Sequence, residues 1–102
     1  MPQYIIHKDG AYNVFSTVVD APIFAEACTL EQLRDWYSAE YGLKGLDELP
    51  ARLERAVANG TSSMIGHTLE DHIRANRAGE NEAELSHDDF IRQYLTLQAN
   101  AK

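Results

Sequence analysis

Two segments near the start of the chain combine β-branched and aromatic residues and predict β-strands, Tyr4–Lys8 and Ala11–Val19. Asp9 and Gly10 lie between them, and both residue types tolerate the positive φ angles of a two-residue type I′ turn. A turn of this length sets the register, because the residues that flank it must pair. In this register both faces of the hairpin carry apolar pairs, so neither face is plainly the solvent side.

The chain after this hairpin predicts a turn and a third strand. Pro22 has a restricted φ and no N–H, so Asp20–Pro22 is expected to reverse the chain. Ile23–Ala27 is then expected as a short third strand. If the hairpin is the whole sheet instead, its outer amides stay open to another chain, which predicts a homodimer paired through that edge.

Beyond residue 28, apolar residues recur at helical spacing in four segments. Residues that favour helix starts open these segments: Thr29, Pro50, Thr68 and Ser86. Glycines close the first three segments: Gly42, Gly60 and Gly79. Gln32 follows Thr29 by three residues, and the two together predict a capping box.

The second helical segment places four apolar residues on one stripe: Leu46, Leu49, Leu53 and Val57. Pro50 is awkward inside a helix because it lacks the N–H that the helix requires. We therefore expect a turn at 46–49 and a helix from Pro50 to about Asn59. The last segment has a clearer core face, made of Phe90, Ile91, Tyr94 and Leu95.

Strands followed by helices are typical of an α+β domain. The 102 residues contain no linker-like stretch, so residues 1–102 are expected to form a single domain. The expected fold is an N-terminal antiparallel β-hairpin, with or without the short third strand, packed against about four α-helices. The first and last helices are the most apolar, so we expect Leu33 and Phe90 in the core.

Charge, hydropathy and cysteine content indicate which classes of partner and which location to expect. Sixteen acidic residues against nine basic ones give a net charge of −7, which argues against direct nucleic-acid binding. No apolar run approaches the ~18 residues that span a bilayer, and the first residues lack the features of a signal peptide, so no membrane partner is expected. Cys28 is the one cysteine and cannot form an internal disulfide, which predicts a cytoplasmic location.

The acidic residues concentrate between the last two predicted helices. The five carboxylates of this acidic connection are Glu80, Glu82, Glu84, Asp88 and Asp89. Of the net charge of −7, −5 falls in this segment and −2 in the rest of the chain. Such a run is often only a solvated connection that also complements the next helix dipole. The functional interpretation is a docking surface for a basic protein, for example one that binds nucleic acid, with carboxylates in the place of phosphates.

A metal site is the chemical alternative. The candidate ligands are His67, Glu70, Asp71 and His72, with His87 as a further histidine from the next helix. His67 and His72 are five residues apart, about 500° around a helix, and so do not share a face. Glu70 and Asp71 also fit the first turn of a helix, where acids complement the dipole. This alternative makes the chain a small metal-binding protein or enzyme.

No other residues form a catalytic set, and no cofactor is expected. Ser86-His87-Asp88 has the residue types of a triad, but consecutive residues point in different directions. Cys28 would need a histidine against it, and a lone cysteine in this position is more often a small buried apolar residue. Residues 60–66 lack the lysine of a P-loop and are typical of an ordinary loop. A non-enzymatic protein is therefore expected.

In size, acidity and hairpin-plus-helices organisation, the chain resembles the small accessory proteins of bacteriophages and other mobile elements, among them anti-CRISPR inhibitors. The resemblance is one of general character, and no motif carries it, so it transfers no site. It implies a protein-binding inhibitor that occludes a basic or nucleic-acid-binding surface of its partner. A homo-oligomeric structural or assembly protein is a further alternative.

Overall fold

The computed structural model describes residues 3–17, 20–63, 68–79 and 83–97. Three strands and three helices lie within these ranges: β1 (Gln3–Lys8), β2 (Ala11–Ser16), β3 (Ala21–Pro22), α1 (Leu30–Asn59), α2 (Leu69–Arg74) and α3 (His87–Tyr94). An antiparallel sheet in the order β1-β2-β3 combines with these helices, which confirms the α+β class. None of the described helices is both long and apolar enough to cross a membrane.

The hairpin β1–β2 has the predicted turn and register. Asp9 has φ 51 and Gly10 has φ 85, as a type I′ turn requires. Ile6 pairs with Asn13, and the other pairs follow in step. The N–H of Gly10 donates to Nε2 of His7 at 3.0 Å and closes the turn. The dipeptide between the strands is therefore sufficient to set the pairing of six residue pairs.

The third strand lies earlier than predicted. Ala21–Pro22 pairs antiparallel with β2, so the predicted turn at 20–22 and the predicted strand at 23–27 are wrong. The reversal comes before it and ends at Asp20, whose φ is 56; residues 18 and 19 of the predicted second strand lie outside the described residues. The N–H of Ile23 donates to Val14 at 2.8 Å, and by strand alternation the nitrogen of Pro22 faces away from β2. Proline fits at this edge because no N–H is needed there.

Helix α1 accounts for the difference between about four predicted helices and the three in the described residues. Gly42 interrupts it with φ 66 and ψ −155, but helical backbone resumes directly and continues to Asn59. The predicted turn at 46–49 is therefore wrong, and Pro50 lies inside the helix. Leu49 and Ala56 are buried on either side of Pro50. Burial of this face offsets the roughly 3 kcal/mol that a proline costs inside a helix.

Both outer edges of the hairpin are hydrogen-bonded to the chain itself. On the β1 side, the N–H of His7 donates to Gly60 at 3.0 Å, and Ser62 exchanges bonds with Ile5 through its N–H and its Oγ. On the β2 side, Tyr12 exchanges two backbone bonds with Cys28, at 2.8 and 2.9 Å. The hairpin is therefore not the whole sheet, and the open edge on which the homodimer was predicted does not exist at these residues.

The sheet lies between α1 and the pair α2–α3. On one face, β1 and β2 pack against α1 through Ile5, Tyr12, Val14, Leu33, Tyr37, Leu49 and Ala56. On the other face, they pack against α2 and α3 through Ile6, Phe15, Ile73, Phe90, Tyr94 and Leu95. Leu33 and Phe90 are each 0% exposed, which confirms both as core residues. Apolar pairs on both faces of the hairpin are thus explained, because each face is covered by helices.

Candidate functional site

The acidic connection is described in part, since Glu80 and Glu82 lie outside the described residues. Ser86 caps α3 by accepting the N–H of Asp89 at 3.2 Å, which places both aspartates in the first turn. The Asp88 side chain is 94% exposed, and Glu84 is exposed as well. Of the described carboxylates of this segment, Asp88 and Glu84 are thus open to a partner.

One of the described acidic residues forms an ion pair with an arginine, and another borders a cavity that arginines also line. Asp89 forms an ion pair with Arg92, one turn along α3, at 2.8 Å between Oδ1 and Nη2. Glu84 lines a polar cavity together with Arg74 and Arg77. Asp89 is therefore paired with an arginine, Asp88 lies 3.4 Å from Nδ1 of His87, and Glu84 forms no ion pair with the described residues.

Asn76 holds the start and the end of this connection together. Its Nδ2 donates to the carbonyl oxygens of Ile73 and Leu85, the latter at 3.0 Å. Its Oδ1 accepts the N–H groups of Ala78 and Leu85 at 3.1 and 2.9 Å. Because all four hydrogen bonds of a buried amide are made, the backbone next to Glu84 is anchored to the end of α2.

His87 joins the first turns of α2 and α3. Its Nε2 lies 3.0 Å from Oε2 of Glu70, and its Nδ1 lies 3.4 Å from Oδ1 of Asp88. The hydrogen bond with Glu70, and then the one with Asp88, raises the pKa of the exposed His87 above its usual value of 6.5. The imidazole therefore carries a positive charge between two carboxylates in mildly acidic solution.

The predicted metal ligands turn to different partners. Glu70 contacts His87, whereas Asp71 accepts the N–H of Thr68 and pairs with Arg74 at 2.6 Å. The bond from the Thr68 backbone is the main cause of a lowered pKa at Asp71. Across the described ranges, no three His, Cys, Asp or Glu residues are grouped as metal ligands. His67 lies outside the described residues, so its part in this alternative stays a prediction.

His72 is a core residue rather than a surface ligand. It is 5% exposed, and its ring lies between those of Tyr4 and Phe15, with centroids 5.2 and 5.0 Å away. Its Nε2 is 2.9 Å from Oγ1 of Thr61, which is also buried. The histidine therefore joins α2 to the segment that covers the edge of β1.

The candidate nucleophile Cys28 has the environment of a structural residue. It packs against the core on the α1 side, and burial raises the pKa of its thiol to about 11. A thiol with this pKa carries little of the reactive thiolate at neutral pH. His7 instead accepts the turn N–H of Gly10 and packs against Tyr12, with ring centroids 4.8 Å apart. Cys28 is thus a partly buried residue at the margin of the core, less buried than its sequence context predicts.

Sequence reasoning placed Leu46, Leu53 and Val57 on one stripe but did not extend that apolar row to Leu43 and Pro50. We call the five residues the α1 seam: Leu43, Leu46, Pro50, Leu53 and Val57. Leu43 is 81% exposed and Val57 is 54% exposed, whereas Leu49, which shares the predicted stripe with Val57, is buried. The signal was present as a spacing of three and four residues that begins at Leu43, one turn before the stripe noted in the sequence.

Comparisons of the chain with protein-family models, with curated proteins and with solved structures return no significant match. The geometry and charge of the described residues are therefore the observations that bear on function.

Proposed function

We propose that this protein is a non-enzymatic binding module that docks its acidic connection on a basic surface of another protein and occludes that surface. The observation that carries the proposal is the placement of Asp88, 94% exposed at the capped start of α3. Glu84 lies exposed on backbone that Asn76 anchors. A charged group presented on anchored backbone loses little freedom when a partner binds.

The charge of the chain supports a basic partner. Five of the sixteen acidic residues belong to the connection, and the net charge is −7. Charges within one or two Debye lengths, roughly 8 Å each at physiological salt, act together on an approaching cationic surface. Carboxylates this close together in the sequence resemble a run of phosphates, so a nucleic-acid-binding protein is the partner class that fits best.

The polar groups of the described residues support binding rather than chemistry. His72, Cys28 and Ser86 are the side chains that a hydrolase or a metal centre would use. In this fold His72 joins α2 to the segment at the sheet edge, and Cys28 packs against the core. Ser86 caps α3. A phage-type or mobile-element inhibitor, similar in manner to anti-CRISPR proteins, needs none of them for reaction chemistry. A cytoplasmic site of action is part of this proposal.

Capture of partners on the immobilised protein, followed by titration of each purified partner, tests the proposal. The decisive variant carries Glu80→Lys, Glu82→Lys and Glu84→Lys, and Asp88→Lys tests the exposed start of α3 in the same way. We expect the triple variant to bind a captured nucleic-acid-binding protein about tenfold more weakly or worse, because three attractive contacts become repulsive. The wild type should also compete with nucleic acid for that partner. An unchanged affinity in the triple variant would refute the proposal.

A matched control separates the acidic connection from overall charge. Glu26→Lys, Asp35→Lys and Glu40→Lys change the net charge by the same amount at three exposed positions outside the connection. We expect this control to bind nearly as well as the wild type. Equal losses in both triple variants would show that net charge, and not the acidic connection, attracts the partner.

A further inference from the structure

The α1 seam follows the second half of α1 at the spacing that one helix uses to contact another. Its residues lie alternately three and four positions apart, from Leu43 to Val57. Leu43, Pro50 and Val57 are exposed, whereas Leu46 and Leu53 are half-buried and also pack against the core of this chain. Single exposed apolar side chains are ordinary, but a continuous apolar row marks an interaction surface.

The middle of the seam forms one wall of a groove. Leu46, Pro50 and Leu53 line it together with Leu49 and with Arg34 from the first half of α1. Because Gly42 breaks the helix, its two halves come to border the same groove. The groove is therefore lined mainly by apolar side chains, and Arg34 is the one cationic residue among the described residues of its lining.

Two acidic residues border the seam on the side away from the core. Asp47 and Glu54 follow Leu43 and Pro50 by one turn, which places both on that side. Both are exposed, and neither is within ion-pair distance of a basic residue in the described part of the chain. A partner that covers the seam therefore meets two unbalanced carboxylates.

We infer that the α1 seam docks an amphipathic helix of another protein, with apolar residues toward the seam and Lys or Arg along the flank that meets Asp47 and Glu54. A helix fits because side chains at three- and four-residue spacing interdigitate with a seam of the same spacing. Basic residues on its flank satisfy these two carboxylates. A second copy is the poorer occupant, since each chain carries −7 and an antiparallel pair would place these acids opposite each other.

This surface is separate from the acidic connection. Helix α1 covers the face of the sheet that carries Val14, whereas α3, which begins at the connection, covers the face that carries Phe15. Changes at Glu84 and Asp88 are therefore expected to leave binding at the seam unchanged. Failure of one proposal is thus distinguishable from failure of the other.

A pair of synthetic helical peptides tests the inference. One has leucines at the seam-facing positions and lysines on the single flank that meets Asp47 and Glu54, and its twin has glutamates in place of the lysines. By fluorescence anisotropy, we expect the lysine peptide to bind about tenfold or more tightly than the twin. Leu43→Ser with Val57→Ser should weaken the lysine peptide about tenfold, because two exposed anchors are lost. Asp47→Lys with Glu54→Lys should reverse the preference between the peptides.

Leu97→Ser is the matched control, since Leu97 is an exposed leucine beyond α3, and it should leave binding unchanged. Equal binding of both peptides would overturn the inference, and so would full binding by the Leu43→Ser/Val57→Ser variant. A concentration-dependent dimer that this variant abolishes, seen by sedimentation, would identify a second copy as the occupant and overturn it equally.

Discussion

The two faces of the sheet are covered in different ways. On one face, the thirty residues of α1 fold at Gly42 and bury apolar side chains against β1 and β2. On the other face, α2 and α3 have six and eight residues, and buried polar side chains hold them in place. Asn13 belongs to this second set: its Nδ2 donates to the carbonyls of Phe24 and Tyr94, and its Oδ1 accepts two backbone N–H groups.

This difference follows from helix length. Isolated helices below about 12–15 residues are marginal in water, so α2 and α3 depend on contacts with the rest of the fold. Asn13, Asn76 and His72 supply such contacts as saturated hydrogen bonds and ring packing. Helix α1 is longer than the part of it that packs on the sheet, and some of its apolar side chains stay exposed. These side chains belong to the α1 seam. The α2–α3 side of the molecule thus presents charged groups to a partner, and the α1 side presents an apolar row.

The largest expected effects come from removing a core side chain on either face. Leu33→Ala on the α1 side and Phe90→Ala on the α2–α3 side should each lower the free energy of unfolding by about 3 kcal/mol, because each leaves a cavity. Urea denaturation measures both. Midpoints equal to that of the wild type would contradict the packing of helices on both faces.

The buried asparagines sharpen the comparison at a smaller magnitude. Asn13→Ala and Asn76→Ala should each cost about 2–3 kcal/mol, because backbone groups that the amide satisfies stay buried without a partner. Asn59→Ala is the control at an exposed position and should stay within about 0.5 kcal/mol of the wild type. Similar urea midpoints for all three variants would show that polar bonds do not hold the second face.

The break in α1 tests the first face. Gly42 has φ 66 and ψ −155, a combination that is nearly exclusive to glycine, so Gly42→Ala should cost about 1–2 kcal/mol. Ser38→Ala, four residues earlier on the exposed side, should have little effect. Thermal unfolding distinguishes the two variants. A Gly42→Ala protein as stable as the wild type would contradict a break in α1 at this residue.

The smallest effect depends on pH. The hydrogen bonds with Glu70 and Asp88 raise the pKa of His87, so its contribution to stability is present below pH 6.5 and disappears as pH rises through the raised pKa. Because the group is exposed, we expect a few tenths of a kcal/mol. His87→Gln should therefore be less stable than the wild type at pH 5.5 and equal to it at pH 8, by urea midpoint. Burial lowers the pKa of His7, so His7→Gln should show the opposite trend and serves as the comparison.

The parts of the fold that depend on local chemistry were predictable from the sequence. The turn at Asp9 and Gly10 set the hairpin register, and the caps at Thr29, Thr68 and Ser86 lie where predicted. Each depends on side chains within three residues of the backbone that they satisfy. Local preference therefore agrees with the final structure at these positions.

The parts that depend on distant contacts were not predictable. Thr61 and Ser62 look like loop residues, yet they are buried against the edge of β1. Asn13 lies between apolar neighbours in a strand, and only the folded chain shows that Tyr94, 81 positions away, accepts its hydrogen bond. Pro50 predicted a break, and tertiary burial of the helix overrode that preference.

The candidate site divides in the same way. Sequence patterning located the acidic connection, and the structure describes Glu84, Asp88 and Asp89 of its five carboxylates. The ion pair between Asp89 and Arg92 was not foreseen, although a spacing of three residues on a helix permits it. The sequence does not show which acids are left for a partner, because that depends on where the arginines fold.

The salt dependence of binding to a captured basic partner tests the central claim most directly. We expect the affinity of the wild type for this partner to fall steeply as the NaCl concentration rises from low to physiological and higher values. We also expect the Glu80→Lys/Glu82→Lys/Glu84→Lys variant to bind weakly with a nearly flat dependence, while the Glu26→Lys/Asp35→Lys/Glu40→Lys control follows the wild type. Superimposable curves for all three proteins would contradict the claim that the acidic connection is the docking surface.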